Sequence, residues 1–225
     1  MMRKRRAYQN PGQQKLFSST NKVAEPYVIR VGGTDQKSSM GSIHLSQLLR
    51  NRSLTEHLLA EVLSIPNLNR AYDRVLSNGG TAGIDGMRVE DLVGWLSTHL
   101  ESLRVSLENG SYQPSAVLRV EIPKSSGGVR RLGIPTVLDR FIQEAIHQQL
   151  SKYYDPLFSE SSYGYRPGRS AHQAVLAASE HVKSGYCWVV NIDLANYFDS
   201  INQDRLMQRL GKGVGDKRLL RLIKR

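Results

Sequence analysis

The hydrophobic pattern changes character three times along the chain. Over residues 1–50 no apolar period persists, and Ser, Gln, Asn and Gly are frequent, as in a flexible leader. From Ser53 the period is helical. Ser53-Leu-Thr-Glu56 has the form of a capping box opening a short helix, which Pro66 is expected to interrupt. Asn67 can cap a second helix, Leu68 to Leu76, ended by Gly79-Gly80. Leu92, Leu96, Leu100, Leu103 and Leu107 then form one apolar helical stripe, closed by Asn109-Gly110.

The period next drops to two. Leu118, Val120 and Ile122 alternate with Arg119 and Glu121, Ser125 to Gly128 can turn, and Val129 to Ile134 returns, which predicts a β-hairpin. Thr136 opens a helix carrying Leu138, Phe141, Ile142, Ala145, Ile146 and Leu150. A loop with Pro156, Gly164, Pro167 and Gly168 leads to a second capping box, Ser170-Ala-His-Gln173, and a helix to about Lys183. Tyr186 to Asp193 is apolar and β-branched, which predicts a third strand, central and buried. Helices near Gln203–Leu210 and Asp216–Lys224 close the pattern. The fold class expected is α+β.

Composition narrows the function classes. With 40% hydrophobic residues among 225, the chain can bury a core. A single cysteine, Cys187, excludes an internal disulfide framework and fits a reducing, cytoplasmic setting. No apolar run approaches a membrane span, and no apolar stretch follows the basic start Arg3-Lys4-Arg5-Arg6, so neither membrane insertion nor export by a signal peptide is expected. The net charge of +11 suggests a polyanionic partner. Its distribution says more than its sum. Residues 1–50 hold nine Lys/Arg and two acids, and Arg205 to Arg225 hold eight basic residues and one acid, with a nearly balanced body between.

The chemistry concentrates in Val189-Val190-Asn191-Ile192-Asp193-Leu194-Ala195-Asn196-Tyr197-Phe198-Asp199. A strand delivering Asp193 at its carboxyl end places a carboxylate in a cleft, where it needs a metal or another partner. Alone, a strand-end Asp serves equally as a helix cap or salt-bridge partner. The surrounding motifs are more specific. Asp193 to Ile201 resembles the first catalytic-aspartate motif of reverse transcriptases. Ile122-Pro123-Lys124, Gly127-Gly128-Val129-Arg130-Arg131 and Leu132-Gly133-Ile134-Pro135-Thr136 resemble the fingers of group II intron enzymes. Gly164-Tyr165-Arg166-Pro167-Gly168-Arg169-Ser170 does so too, and Asn78 to Met87 looks like the loop of their N-terminal extension. The ordered set spans residues 60–225.

The resemblance implies a flexible basic leader (1–50), a helical N-terminal extension (51–115), fingers (116–185) and the first part of a palm (186–225). It implies that Asp193 is catalytic and binds two Mg²⁺ ions, with the backbone carbonyl of Leu194 holding one. Phe198 would be the steric gate favouring dNTPs over ribonucleotides, although its residue type fits ordinary core as well. Lys124 and Arg130, on the arms of the hairpin, would close on the dNTP triphosphate; Arg131 alternates to the other face. Arg166 and Arg169, before a helix N-terminus, would contact template–primer backbone. The loop Gly79–Gly86, with Gly83 and Asp85, would act as a lid over the RNA template, although its glycines equally suit the end of one helix and the start of the next.

The family's second motif, Tyr-x-Asp-Asp, is absent: no Asp-Asp pair occurs in the 225 residues. The expectation is therefore a truncated enzyme, inactive alone. Its expected partners are group II intron RNA, an RNA template with DNA primer, dNTPs and a complementary C-terminal fragment. The competing expectations are a non-catalytic RNA-binding fingers fragment, or part of a retron or CRISPR-linked reverse transcriptase.

Overall fold

The computed structural model describes residues 55–123 and 127–225; the leader, Ser53 and Lys124 lie outside the described residues. The order of elements is α1 (Leu58–Val62), α2 (Ile65–Asn78), a single 3₁₀ turn (Val89–Asp91), α3 (Leu92–Glu108), β1 (Leu118–Pro123), β2 (Val129–Ile134) and α4 (Val137–Tyr154). After the turn Asp155–Leu157 come α5 (Ala171–Lys183), α6 (Tyr197–Ser200), α7 (Gln203–Gly213) and α8 (Lys217–Lys224). The class is α+β, with one antiparallel hairpin as its sheet among the described residues.

The helices form where the apolar period predicts, with one change at the start of α2. Pro66 does not interrupt a helix; it sits in the first turn of α2, where a missing N–H leaves no bond unmade. Asn67 does not cap that helix. It is buried, and its amide donates to the carbonyls of Val62 (2.9 Å) and Ala145 (3.0 Å), while its oxygen accepts from Gln149 (2.5 Å). One polar side chain thereby fixes α1, α2 and α4 together.

Leu58, Leu59, Leu92, Phe141, Val214 and Leu219 are among the residues of one buried core. Helices α1 to α4, the residue after α7 and helix α8 all contribute to it. Asp216 joins the two ends of the described chain. Its buried carboxylate accepts from Arg218 N (2.9 Å) and Leu219 N (3.3 Å), capping α8, and from Leu59 N (3.0 Å) at the start of α1. One carboxylate caps two helices 157 positions apart.

The hairpin pairs Leu118 with Ile134 through Pro123 with Val129. Arg130 therefore faces Ile122 across the ladder, and Arg131 faces Glu121, with which it makes a 3.4 Å ion pair. Its base is anchored by Asp139, whose carboxylate accepts from Tyr112 OH (2.7 Å), Ser115 N (3.1 Å) and Thr136 Oγ1 (2.6 Å). Burial, aided by the hydrogen bond to Asp139 and its charge, pushes the Tyr112 hydroxyl well above the usual phenol range.

The third strand is the main correction. Residues 186–194 are neither helix nor strand and join no ladder, and Trp188, Val189, Val190 and Ile192 are 80–91% exposed rather than buried. A β-branched run favours an extended backbone, yet a strand exists only when a neighbour takes its N–H and C=O groups. Among the described residues β1 and β2 pair with each other and no other strand is present.

Candidate active site

Strand β2 and the segment 192–199 face each other across an open cavity of about 1290 Å³. Arg130, Asp193, Leu194 and Phe198, four residues singled out from sequence, all line it. So do Arg131, Leu132, Ile192, Asn196, Tyr197 and Asp199.

The local chain explains how these side chains arrive. Asp193 Oδ1 accepts the N–H of Leu194 (2.9 Å), which fixes the carboxylate beside its own backbone. Asn196 then adopts a left-handed conformation, φ +50°, reversing the chain so that the short α6 carries Tyr197 and Phe198 to the same cavity. Asparagine is among the residues that tolerate this backbone best. The Tyr197 and Phe198 rings pack edge to face with centroids 5.7 Å apart. Asp199 accepts no hydrogen bond from the described residues. Asn202 does cap α7, accepting from Arg205 N at 2.9 Å.

One wall of the cavity is cationic, through Arg130 and Arg131, and the other carries Asp193 and Asp199. That polarity suits a polyphosphate whose charge is shared between guanidinium groups and a hard cation. The donors for a metal are nonetheless few. Among the described residues no group of three or more His, Cys, Asp or Glu stands close enough to hold an ion. These donors alone do not fit a two-ion site.

The expected RNA contacts divide differently. Arg166 is 6% exposed, and its five N–H donors are all engaged. They bond Asp155 Oδ1 (2.8 Å), Oδ2 (3.3 Å) and O (2.9 Å), Ser159 O (2.7 Å) and Ser162 O (3.1 Å). This ties the loop into a knot and leaves no donor for phosphate. The hydrogen bond from Arg166 also holds the Asp155 carboxyl below the usual carboxylate range. Arg169 lies 5.6 Å over the Tyr163 ring and pairs with Glu160. The Asp155–Arg166 knot holds its neighbour Tyr165 fully exposed at φ +56°.

Gly83 is buried rather than presented to a template. A β-carbon there would stand 2.6 Å from Thr136 Cα and 3.0 Å from Pro135 O, so the loop can press on the start of α4 only with glycine. Arg140, unremarked in the sequence, clamps the same loop through Gly79 O (3.2 Å) and Thr81 O (2.8 Å). Asp85 remains exposed, accepting from Met87 N at 3.2 Å. Among the described residues no helix is long and apolar enough to cross a membrane.

Residues 122–223 match the family described as reverse transcriptase (RNA-dependent DNA polymerase). The protein YkfC of Escherichia coli K12 is 36% identical over 178 residues, covering 76% of this chain and 47% of YkfC. The group II intron-encoded protein LtrA of Lactococcus lactis is 34% identical over 154 residues, 68% of this chain and 25% of LtrA. Nuclear intron maturase 2 of Arabidopsis thaliana is 36% identical over 86 residues, 38% of this chain and 12% of the maturase. The chain spans about half the length of YkfC and a quarter or less of the other two. The matched reverse transcriptase segment contains both walls of the cavity, and the chain belongs to the reverse transcriptases of the group II intron-encoded type.

Proposed function

We propose that this chain supplies the fingers and the first catalytic motif of an RNA-directed DNA polymerase that binds group II intron RNA and serves its splicing and retrohoming. The observation that carries the reading is the convergence of Arg130 with Asp193, Leu194 and Phe198, more than sixty positions away, on one cavity. Arg130 binds the triphosphate of an incoming dNTP as a charge-assisted fork. Lys124 takes the same role as a point charge. Phe198 fills the space beside the sugar and disfavours a 2′-hydroxyl. Asp193 and the Leu194 carbonyl would offer two of the oxygen ligands for Mg²⁺, which would supply charge neutralisation once further carboxylates complete the site.

Completion of the site requires further carboxylates. The same supplier can cover the exposed segment 186–193 by adding strands beside it, because it joins no ladder and its apolar side chains are exposed among the described residues. We assign both roles to a complementary C-terminal palm and thumb, in cis or in trans. The sparse metal donors favour one alternative, an RNA-binding fingers fragment without chemistry.

Primer extension separates the two. The chain alone, given Mg²⁺, dNTPs and a primed RNA template, yields no product. With palm and thumb supplied, Asp193→Ala abolishes extension, whereas Phe198→Ala keeps it and raises the ratio of ribonucleotide to deoxynucleotide incorporation. Arg130→Ala raises KM for dNTP, losing a charge-assisted contact of roughly 1.5–3 kcal/mol. Extension by Asp193→Ala together with an unchanged ratio in Phe198→Ala leaves only the binding reading.

A further inference from the structure

We propose that helices α7 and α8 form a second RNA-binding surface, a phosphate-contacting face separate from the candidate active site. Arg205, Arg209 and Lys212 recur at i, i+4 and i+7 on α7; Lys217, Arg221 and Lys224 repeat the spacing on α8. Each set is a single stripe about 10 Å long, and all six residues are exposed. The helices pack together: a β-carbon on Gly211 would stand 3.8 Å from Leu220 Cδ1, and Lys224 lies 3.8 Å from Asp204.

Burial has sorted the charges. Asp216, the acid within this basic stretch, is turned inward to cap α1 and α8, 3.7 Å from Arg218. Asp204 offsets Lys224. Among the described residues no carboxylate lies within ion-pair distance of Arg205, Arg209, Lys212, Lys217 or Arg221, in contrast to Arg166 and Arg169, which are consumed by Asp155 and Glu160. This face therefore holds five cations left free for an external anion, unlike the loop, whose two arginines are engaged. Lys217 and Arg218 also occupy the first turn of α8, where the helix dipole disfavours positive charge, so their placement opposes the helix's own electrostatics.

The remaining surface selects the partner. A helix that lies on a membrane needs an exposed apolar face, but α8 spends its own on the core through Leu219, Leu220, Leu222 and Ile223. A protein partner would need an aromatic or aliphatic anchor; α8 offers none, and Leu206 on α7, 44% exposed, is a single aliphatic among cations. Evenly spaced, unpaired cations suit a phosphate backbone, contacted for position rather than sequence. The choice of RNA over DNA rests on the group II reading; the surface itself does not.

The test measures binding of the full chain to a 20-base-pair RNA duplex across a salt series. Two variants, R205Q/R209Q/K212Q and K217Q/R221Q, keep side-chain length and helix propensity, and circular dichroism checks that both remain folded. Each should flatten the slope of log affinity against log salt by about 0.9 per phosphate contact removed and weaken binding at low salt at least tenfold. Arg74→Gln, an exposed arginine on α2, should leave the slope unchanged. Unchanged slopes in both multiple variants overturn the proposal. So does an equal effect from Arg74→Gln, or a loss confined to phosphatidylserine vesicles with RNA binding intact. None of these readouts depends on polymerisation, so failure here and failure of the catalytic assignment are told apart.

Discussion

Helices α4 and α5 follow one another in sequence and begin in the same way, with a hydroxyl accepting the N–H three residues on: Thr136 from Asp139, Ser170 from Gln173. Their surroundings differ completely. Helix α4 buries Val137, Phe141, Ile142 and Ala145 against α1, α2 and their neighbours. Helix α5 buries nothing: its Val175, Leu176 and Val182 stand 59–68% exposed, and Trp188, Val189, Val190 and Ile192 in the segment after it are more exposed still. Caps and period decide whether a helix exists, because a helix satisfies its own backbone. Whether its apolar face is covered depends on what else is present. The comparison divides the molecule into a packed body, α1 to α4 with α8, and an uncovered stretch from α5 to α6.

The sharpest way to break this comparison is truncation on each side. Phe141→Ala should cost about 3–5 kcal/mol, the penalty for emptying a closed core site. Leu176→Ala should stay within about 0.5 kcal/mol, because no packing is lost. Urea unfolding of both variants measures the difference, and comparable losses would show that α5 is packed after all. Next in size is Asp216→Ala, which uncaps α1 and α8 together and should cost about 2–4 kcal/mol. Asp216→Asn keeps an acceptor and should recover about half of that by the same measurement. If the alanine variant unfolds like the parent, the junction between the first and last helices does not hold the body together.

The smallest effect lies at the edge between the two regions. Arg166 depresses the Asp155 carboxyl, so the folded loop binds that proton more weakly than the unfolded chain does. The clamp's contribution is therefore full above the ordinary Asp value of about 3.9. It is lost as pH falls through the lower folded value. Proteolysis of the 155–169 loop should accelerate only in that acid window. Asp155→Asn should make it fast at neutral pH and insensitive to acid.

Much of this was legible in the sequence because it is local. The caps at Thr136 and Ser170, the hairpin and the α3 stripe each depend on residues a few positions apart. The cavity was legible through the motifs, since Arg130, Asp193, Leu194 and Phe198 do converge. What stayed hidden is set by distant neighbours. Gly83 reads as a flexible lid until Thr136 is seen against it, and Arg166 reads as a phosphate ligand until Asp155 takes its donors. The segment Tyr186 to Asp193 has a strand's composition, but composition cannot supply a second strand.

The double cap at Asp216 has a consequence for the timing of synthesis. Leu59 emerges from the ribosome 157 residues before the carboxylate that accepts its N–H. At roughly 5–20 residues per second, the nascent chain carries α1 without that acceptor for about 8–30 s. Closing so long a loop costs little more entropy than closing a short one, since each doubling adds only about 0.6 kcal/mol. The delay is therefore one of supply, and the helical body locks only when its last turn has been made.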